Sequence, residues 1–558
     1  MVQGDSISDA SFRAVVDPDE AAAYREAKWW GDLALVDHVR RHARERPTDL
    51  AYVADDGSLT WRQFDEASDR LARILCAEGL VPGERVAVML PDGATVHVTF
   101  IALEKAGLVV VGIGARAGTR EIAHLLATTG ATTLLTAPAH RGRTARHLVD
   151  ELAEFDARLD HLVEVPCLEA DVVAPIVVDG TPVDHGPAVD LDERRIRPDD
   201  LFMINSTSGT TGMPKCVLHT QNRWIYFHQL AARNGELTGD DVFMSAVPAP
   251  FGFGLWTSHF SPIILGCPTV VNERFRSTSA IHAIEQYRVT VLGCVSTQFL
   301  MLLNDSSLDR HDLSSLRVMF TGGEAVPTHR AMEFEARTGC TVLQFYGSNE
   351  TGLLSGTTTT DPAWVRFETA GRIVDDMQVR LYDDNGLVEV TGEGRPACKG
   401  PATCQGYLEQ EANASLYTPD GWMLMGDLCS IDADGYLRVT GRTSDIIIRG
   451  GKNISAGQVE DEVGTHPAVA IAGAVAIPDE VFGERVCVFV ELHDGADPIT
   501  LDDLRDHLIE RKTSKELIPE ALVVLDQLPR SSGAKIAKSD LAALAREQAG
   551  TAAPDAKM

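Results

Sequence analysis

"STSGTTGMPK" occupies residues 206–215, three Thr, two Ser and two Gly closed by Pro214 and Lys215. Its composition is that of a flexible linker. Its position argues for something else, because it follows "LFMIN" (201–205), an apolar run that reads as a strand. A Thr/Ser/Gly loop leaving a strand can turn several N–H groups and hydroxyls toward one anion. Glycine permits the backbone angles, and a nearby lysine adds charge. The stretch is not a Walker loop, since no Gly-Lys-Ser/Thr follows the spacing that motif requires. The rest of the chain decides between linker and phosphate loop.

Upstream, the pattern is that of an α/β protein. Thr60 is placed to cap a helix whose Phe64, Leu71, Ile74 and Leu75 share one face and which stops at Gly79. "RVAVML" (85–90) follows as a strand, Asp92 is expected to open a helix through Ala106, and "LVVVGI" reads as the next strand. Such alternation predicts a largely parallel sheet covered on both faces. A composition break near 441–445 separates a second unit. There "DIIIRGGKNIS" leads into the helix "AGQVEDEV", then the strands "AIAGAVAI" and "RVCVFVEL", and a helix over 501–511. The expected organisation is a large N-terminal α/β domain with mostly parallel sheets (1–440), a hinge (441–445) and a small mobile α+β C-terminal domain (446–545). A flexible tail (546–558) ends the chain.

The chain has 558 residues, too long for one ordinary domain, with 50 basic against 81 acidic side chains and a formal charge of −31. That balance excludes nucleic acid or an anionic membrane as the main partner. Ten cysteines are scattered without a CxxC pair, as expected for small apolar residues in a reducing cytoplasm rather than a disulfide frame. The start, "MVQGDSISDASF", has neither a basic segment nor an apolar run, and no stretch is long enough to span a membrane.

Four further motifs accompany the opening loop: "TGGEAVP" (321–327), "FYGSNET" (345–351), "GDL" (426–428) with "DADGYLRVTGRTSDIIIRGGKNIS" (432–455), and "LPRSSGAKIAKSDL" (528–541). In order and spacing these five resemble the adenylate-forming superfamily of acyl-CoA synthetases, peptide-synthetase adenylation domains and luciferases, from about residue 30 to 541. "YREAKWWGD" (24–32) and "DIIIRGGKNIS" resemble most the branch of AMP-dependent carboxylic acid–CoA ligases acting on medium-chain, cyclohexane-carboxylate and aryl acids.

The resemblance implies a role for each motif. A carboxylate would attack the α-phosphate of ATP while pyrophosphate leaves, so the protein's work is positioning and charge neutralisation. Thr207, Ser208, Gly209, Thr210, Thr211, Gly212 and Lys215 would hold the leaving phosphates. Glu350 would ligate Mg²⁺, with Asn349 beside it donating to a phosphate. Tyr346, Gly322 and Gly323 would pack on adenine, with Glu324 and Gly347 in the same nucleotide site. Asp427 would accept the ribose hydroxyls and Arg442 would contact ribose or phosphate. Lys535 would bridge the carboxylate and the α-phosphate, whereas Lys538 reads as a solvated lysine. Rotation about Ser444 would then withdraw Lys535 and bring the loop containing Gly450 and Gly451 to the site, opening a path for a pantetheine thiol. The chain departs from the family pattern at Ser444 (Asp or Lys is usual), Asn349 (Thr), Ala534 before Lys535 (Gly), and Phe251 (a gating His).

Phe251, Phe253, Trp256 and Leu354 would wall the acid pocket, with Gly252, Gly254 and Gly352 leaving space. No carboxylate there is placed to pair with an amino group, so an amino-acid substrate is not expected. The expected reaction is activation of a medium-chain, cyclic or aromatic carboxylic acid, followed by transfer to CoA. The alternative acceptor is an acyl carrier protein thiol or an amine. A homodimer is among the assemblies expected.

Overall fold

The computed structural model describes residues 17–54, 57–168, 174–206, 213–323, 326–383, 386–442, 445–449, 452–479, 481–530 and 535–551, with the side chains of 387–389, 442, 453 and 548–551 outside that set. Two large mixed sheets form the core. In the eight-stranded sheet the five central strands run parallel: His161–Glu164, Thr133–Thr136, Arg85–Met89, Val109–Gly112 and Leu201–Ser206. In the nine-stranded sheet a parallel block ends with Val318–Gly322 and Thr341–Ser348, after which Gly352–Gly356 turns back antiparallel. The inner strands Thr133–Thr136, Val109–Gly112 and Leu201–Ser206 are buried at every position, as crossover topology requires. A third, six-stranded sheet over residues 378–442 is antiparallel throughout, which the helix–strand alternation upstream does not foreshadow.

Thr60 does cap Trp61–Ala77, its hydroxyl accepting from Gln63 N while Gln63 returns the bond to Thr60 N. Asp92 does not open the next helix. Ala94–Ala106 is capped by Gly93, because Asp92 Oδ1 is taken instead by Ala249 N at 3.1 Å. Every residue of Ala94–Ala106 is buried, including Lys105. The Lys105 ammonium is satisfied by Asp65 Oδ1 at 2.6 Å, Asp69 Oδ1 at 2.7 Å and Ser68 Oγ at 2.9 Å, all on the Trp61–Ala77 helix. This ion cluster staples the two helices.

Past Arg442 the chain enters a separate five-stranded sheet, Ile446–Arg449, Lys452–Ser455, Val469–Asp479, Gly483–Leu492 and Ala521–Val524, backed by Ala456–Val463, Leu501–Glu510 and Lys538–Thr551. The last helix runs through residue 551, so the segment expected to be tail from 546 is helical for its first six residues. The reason is "KSDLAALAREQ", rich in strong helix formers, which buries Leu541 and Ala545 against the sheet. All ten cysteines are free, eight of them buried. Among the described residues no helix is long and apolar enough to cross a membrane.

Removing the Lys105 cation strands two carboxylates at the helix interface. Lys105→Ala is expected to cost about 3 kcal/mol, read as a lower denaturant midpoint for the transition of the large domain.

Candidate active site

The strands Val109–Gly112 and Leu201–Ser206 end side by side, Asn205 opposite Gly112, so the loop at 207–212 leaves the C-terminal edge of the eight-stranded sheet, where α/β proteins bind ligands. Thr207, Ser208, Gly209, Thr210, Thr211 and Gly212 lie outside the described residues, as do Glu324, Ser444, Gly450, Gly451, Ala534 and the side chain of Arg442. Lys215 is described, its ammonium 4.8 Å from the centroid of the Tyr407 ring. The Tyr407 hydroxyl in turn donates to Glu350 Oε1 at 2.7 Å. Burial raises the Tyr407 phenol, and Glu350 raises it further, so it stays a neutral donor. Lys215, Tyr407 and Glu350 thus form one chain of contacts ending on the carboxylate.

Glu350 sits in a three-residue turn, 349–351, joining Thr341–Ser348 to Gly352–Gly356. Ser348 Oγ accepts from Glu350 N and Thr351 N, each at 3.1 Å. Gly352 has φ +66, and a Cβ there would lie 2.5 Å from Ala402 O. Beneath the turn lies Arg223, 1% exposed. Its guanidinium donates to three carbonyls, Ala402 O at 2.8 Å, Asn349 O at 2.9 Å and Glu350 O at 3.3 Å, and to His219 Nδ1. Burial pulls the Arg223 pKa down to about 10 and holds His219 well below its usual value. His219 is therefore neutral, accepting at Nδ1 and donating from Nε2 to Asn205 Oδ1 at 2.6 Å. Asn205 and Asn349 complete the network with reciprocal amide bonds of 3.1 Å and 2.5 Å. One donor of the Asn349 amide, expected to face a phosphate, is committed to Asn205 instead.

Tyr346 is buried, and its hydroxyl donates to Asp427 Oδ2 at 2.8 Å, joining the two residues expected to serve adenine and ribose. Asp427 pairs in register with Arg442 across adjacent strands. Gly322 and Gly347 are required by packing: a Cβ would meet Phe345 O at 2.4 Å and Gly352 O at 1.8 Å. Gly323 has φ +78, and its carbonyl accepts from Lys535 Nζ at 2.5 Å, across 212 residues of sequence. Lys535 therefore stands at the end of the strand Val318–Gly322, beside the strand that carries Tyr346.

Of the expected acid-pocket wall, Phe251 and Phe253 are half-buried, while Trp256 and Leu354 are 1% and 0% exposed. Trp256 is the centre of an aromatic cluster with Phe227, Phe320 and Phe345, and Phe253 stacks on Phe345 at 5.3 Å. The three glycines expected to leave space are closely packed. A Cβ on Gly254 would lie 2.2 Å from Pro248 O, one on Gly252 2.9 Å from Asn349 Oδ1, and Gly352 abuts Ala402. The segment Leu255–Phe260 is a π-helix, a widened turn common at functional sites. Tyr407, Arg223, His219 and Asn205 escape a motif-based reading, since none lies in one of the five motifs at a position with an assigned role.

With this geometry in view, the comparisons are direct. The AMP-binding enzyme model matches residues 39–408 and the AMP-binding enzyme C-terminal domain model matches residues 458–535. The chain belongs to the AMP-binding enzyme family, an adenylate-forming ligase. Among its relatives, a medium-chain fatty-acid–CoA ligase of Escherichia coli K12 is 31% identical over 93% of this chain and 91% of its own length. A salicyl-AMP ligase / salicyl-S-ArCP synthetase of Mycobacterium tuberculosis is 31% identical over 93% and 92%. The o-succinylbenzoate CoA synthetase of Bacillus subtilis, solved with an acyl-adenylate intermediate, aligns with a TM-score of 0.74 at 26% identity, covering 93% of this chain and 99% of that one.

Two consequences are measurable. Arg223→Met leaves the Asn349 and Glu350 carbonyls without their buried donor, and is expected to weaken magnesium–ATP binding about tenfold, measured by titration calorimetry. Burial lifts half-buried Asp92 from 3.8 to about 7, offset in part by the bond from Ala249 N. The folded protein then holds that proton where the unfolded chain releases it. The contribution to stability is full below pH 3.8 and lost as pH rises through about 7. Asp92→Asn keeps the acceptor without the charge, so its melting temperature should gain on wild type from pH 5 to pH 8.

Proposed function

We propose that the protein activates a medium-chain, cyclic or aromatic carboxylic acid with ATP, giving acyl-AMP and pyrophosphate, and passes the acyl group to the thiol of CoA. The observation that supports this most directly is Lys535 Nζ on Gly323 O at 2.5 Å. It sets a cation from the C-terminal domain beside the rim formed by Tyr346 and Asp427. There the carboxylate oxygen attacks the α-phosphorus, the bond to the bridging oxygen breaks, and pyrophosphate leaves with the electron pair. Lys535 neutralises charge on both reacting groups during that exchange. Lys215 and the 207–212 loop hold the departing phosphates, and Asp427 and Arg442 hold the ribose.

Glu350 is the residue suited to Mg²⁺, a hard cation that favours carboxylate oxygen and supplies charge neutralisation when bound. Its fit rests on the Ser348 turn and the Tyr407 hydroxyl, which fix the carboxylate without burying it. The half-buried rings of Phe251 and Phe253, with no acidic side chain in the run from 251 to 256, suit an uncharged ring or short chain. A cytoplasmic setting belongs to this reading, in keeping with ten free cysteines.

A second acceptor has specific support. The relative named for a carrier-protein product is as similar to this chain as the one named for a CoA thioester. In that reading the thiol of a carrier-protein pantetheine takes the place of CoA, and the adenylating residues stay the same.

The deciding experiment is pyrophosphate release over a panel of acids, with and without CoA. AMP and acyl-CoA formed only when CoA is present support the proposal, whereas adenylate formation indifferent to CoA assigns the acceptor to a carrier protein or an amine. Lys535→Ala should lose about 100-fold or more of adenylation and far less of thioester formation from supplied acyl-AMP. Equal loss in both half-reactions removes Lys535 from the first step.

A further inference from the structure

Lys538, which reads from sequence as a solvated lysine, is not one. Its Nζ lies 3.0 Å from Glu460 Oε1 and 3.2 Å from Asp445 Oδ2, and the three side chains are 24%, 16% and 18% exposed. Each partner is itself anchored. Glu460, on the helix Ala456–Val463, also accepts from Ala474 N at 2.8 Å on the long strand Val469–Asp479. Asp445 accepts through its carbonyl from Ala456 N at 3.3 Å, at the start of that same helix. Burial works against the Lys538 charge, but Glu460 and Asp445 more than offset it and leave the pKa above its usual value. The ammonium is held charged by geometry, not by solvent.

The sequence positions of these three groups give the cluster its meaning. Asp445 immediately follows the 443–444 segment, where the chain passes from the third sheet of the large domain into the C-terminal sheet. Lys538 lies three residues after Lys535. The segment between is tightly closed: Arg530 bridges Ile536, Ala537 N donates to Pro529 O at 2.8 Å, and Ile536 packs on Gly473. We infer that Lys538 is a positioning residue, tying the Lys535 loop to the first residue beyond the domain crossover so that movement there carries the catalytic lysine as one rigid piece. A loop loosened by an ångström misplaces Lys535 relative to Gly323, and misplacement of that size costs catalysis heavily. Arg449, which closes the strand Ile446–Arg449 ahead of Gly450 and Gly451, is held separately, by Glu520 and by Glu516 O. Chemistry that uses those glycines is expected to be spared.

This inference rests on the adenylation role proposed for Lys535, and the test keeps the two apart. Lys538→Met and Lys538→Arg are compared with wild type for acid-dependent ATP–pyrophosphate exchange and for thioester formation from supplied acyl-AMP. Lys538→Met should lower the exchange kcat about tenfold or more, with the KM for ATP and thioester formation changed by no more than about threefold. Lys538→Arg should recover most of the exchange activity. In a Lys535→Ala background, Lys538→Met should add no further loss, because it acts through the lysine already removed. Parallel loss in both half-reactions, additive loss in the double variant, or no loss at all overturns the inference. Should Lys538→Met fail to fold, Asp445→Asn carries the same test at the other end of the cluster. Wild-type protein that exchanges pyrophosphate with no acid refutes the underlying role of Lys535 instead.

Discussion

The burial of Arg223 is the constraint on which the site depends. A guanidinium at 1% exposure would ordinarily demand a carboxylate, yet its donors go to three backbone carbonyls and a neutral imidazole. Those carbonyls belong to segments far apart in sequence, the 349–350 turn and Ala402. Glu350 is thereby held by its own backbone, leaving its carboxylate to Tyr407 and to the solvent side of the site. A carboxylate ligand for Arg223 would have fixed the cation as well, but would have set a second negative charge beneath the Glu350 carboxylate. Carbonyl dipoles avoid that cost.

The same economy of charge runs through the molecule. A chain with net charge −31 repels polyanions at long range, so cations near the reaction must be placed locally. Lys215 rests on an aromatic face, and Lys535 is carried in from the other domain onto a carbonyl. Both contacts orient an ammonium without neutralising it. The fully paired lysines, Lys105 and Lys538, each bind two carboxylates and serve architecture. The carboxylate pairs of Lys105 and Lys538 thus serve a different end from the aromatic and carbonyl contacts of Lys215 and Lys535.

Much of this was legible in the sequence, for reasons that can be named. The Thr60 capping box and the Phe64–Leu75 face rest on local rules, and the helix forms as they dictate. The motifs containing Lys535, Tyr346, Glu350 and Asp427 are contiguous strings whose order survives reading. Asp92 and Lys538 were misread because their side chains answer to distant partners, Ala249 N and Asp445 with Glu460, that no local pattern encodes. Arg223, His219 and Asn205 are invisible for the same reason, being single polar residues whose network closes only when strand, helix and turn converge. The glycines at 252, 254 and 352 looked like room for a substrate, whereas their missing Cβ atoms make room for neighbouring protein atoms.

Under the proposed two-step reaction, carrying the Lys535 cation on a second domain has a chemical reason. Acid activation needs a positive charge at the α-phosphate, and thiol attack needs an open approach to the acyl carbon from that same side. A lysine fixed in the large domain would obstruct the second step, whereas one on a pivoting domain can be removed whole. The pivot serves only if little is lost between hinge and lysine, because slack over the residues from 445 to 535 would blur the position at Gly323 beyond what charge stabilisation tolerates. The cluster of Asp445, Glu460 and Lys538 is suited to that demand, because it ties Asp445 and the start of the last helix, Lys538–Thr551, to one ammonium.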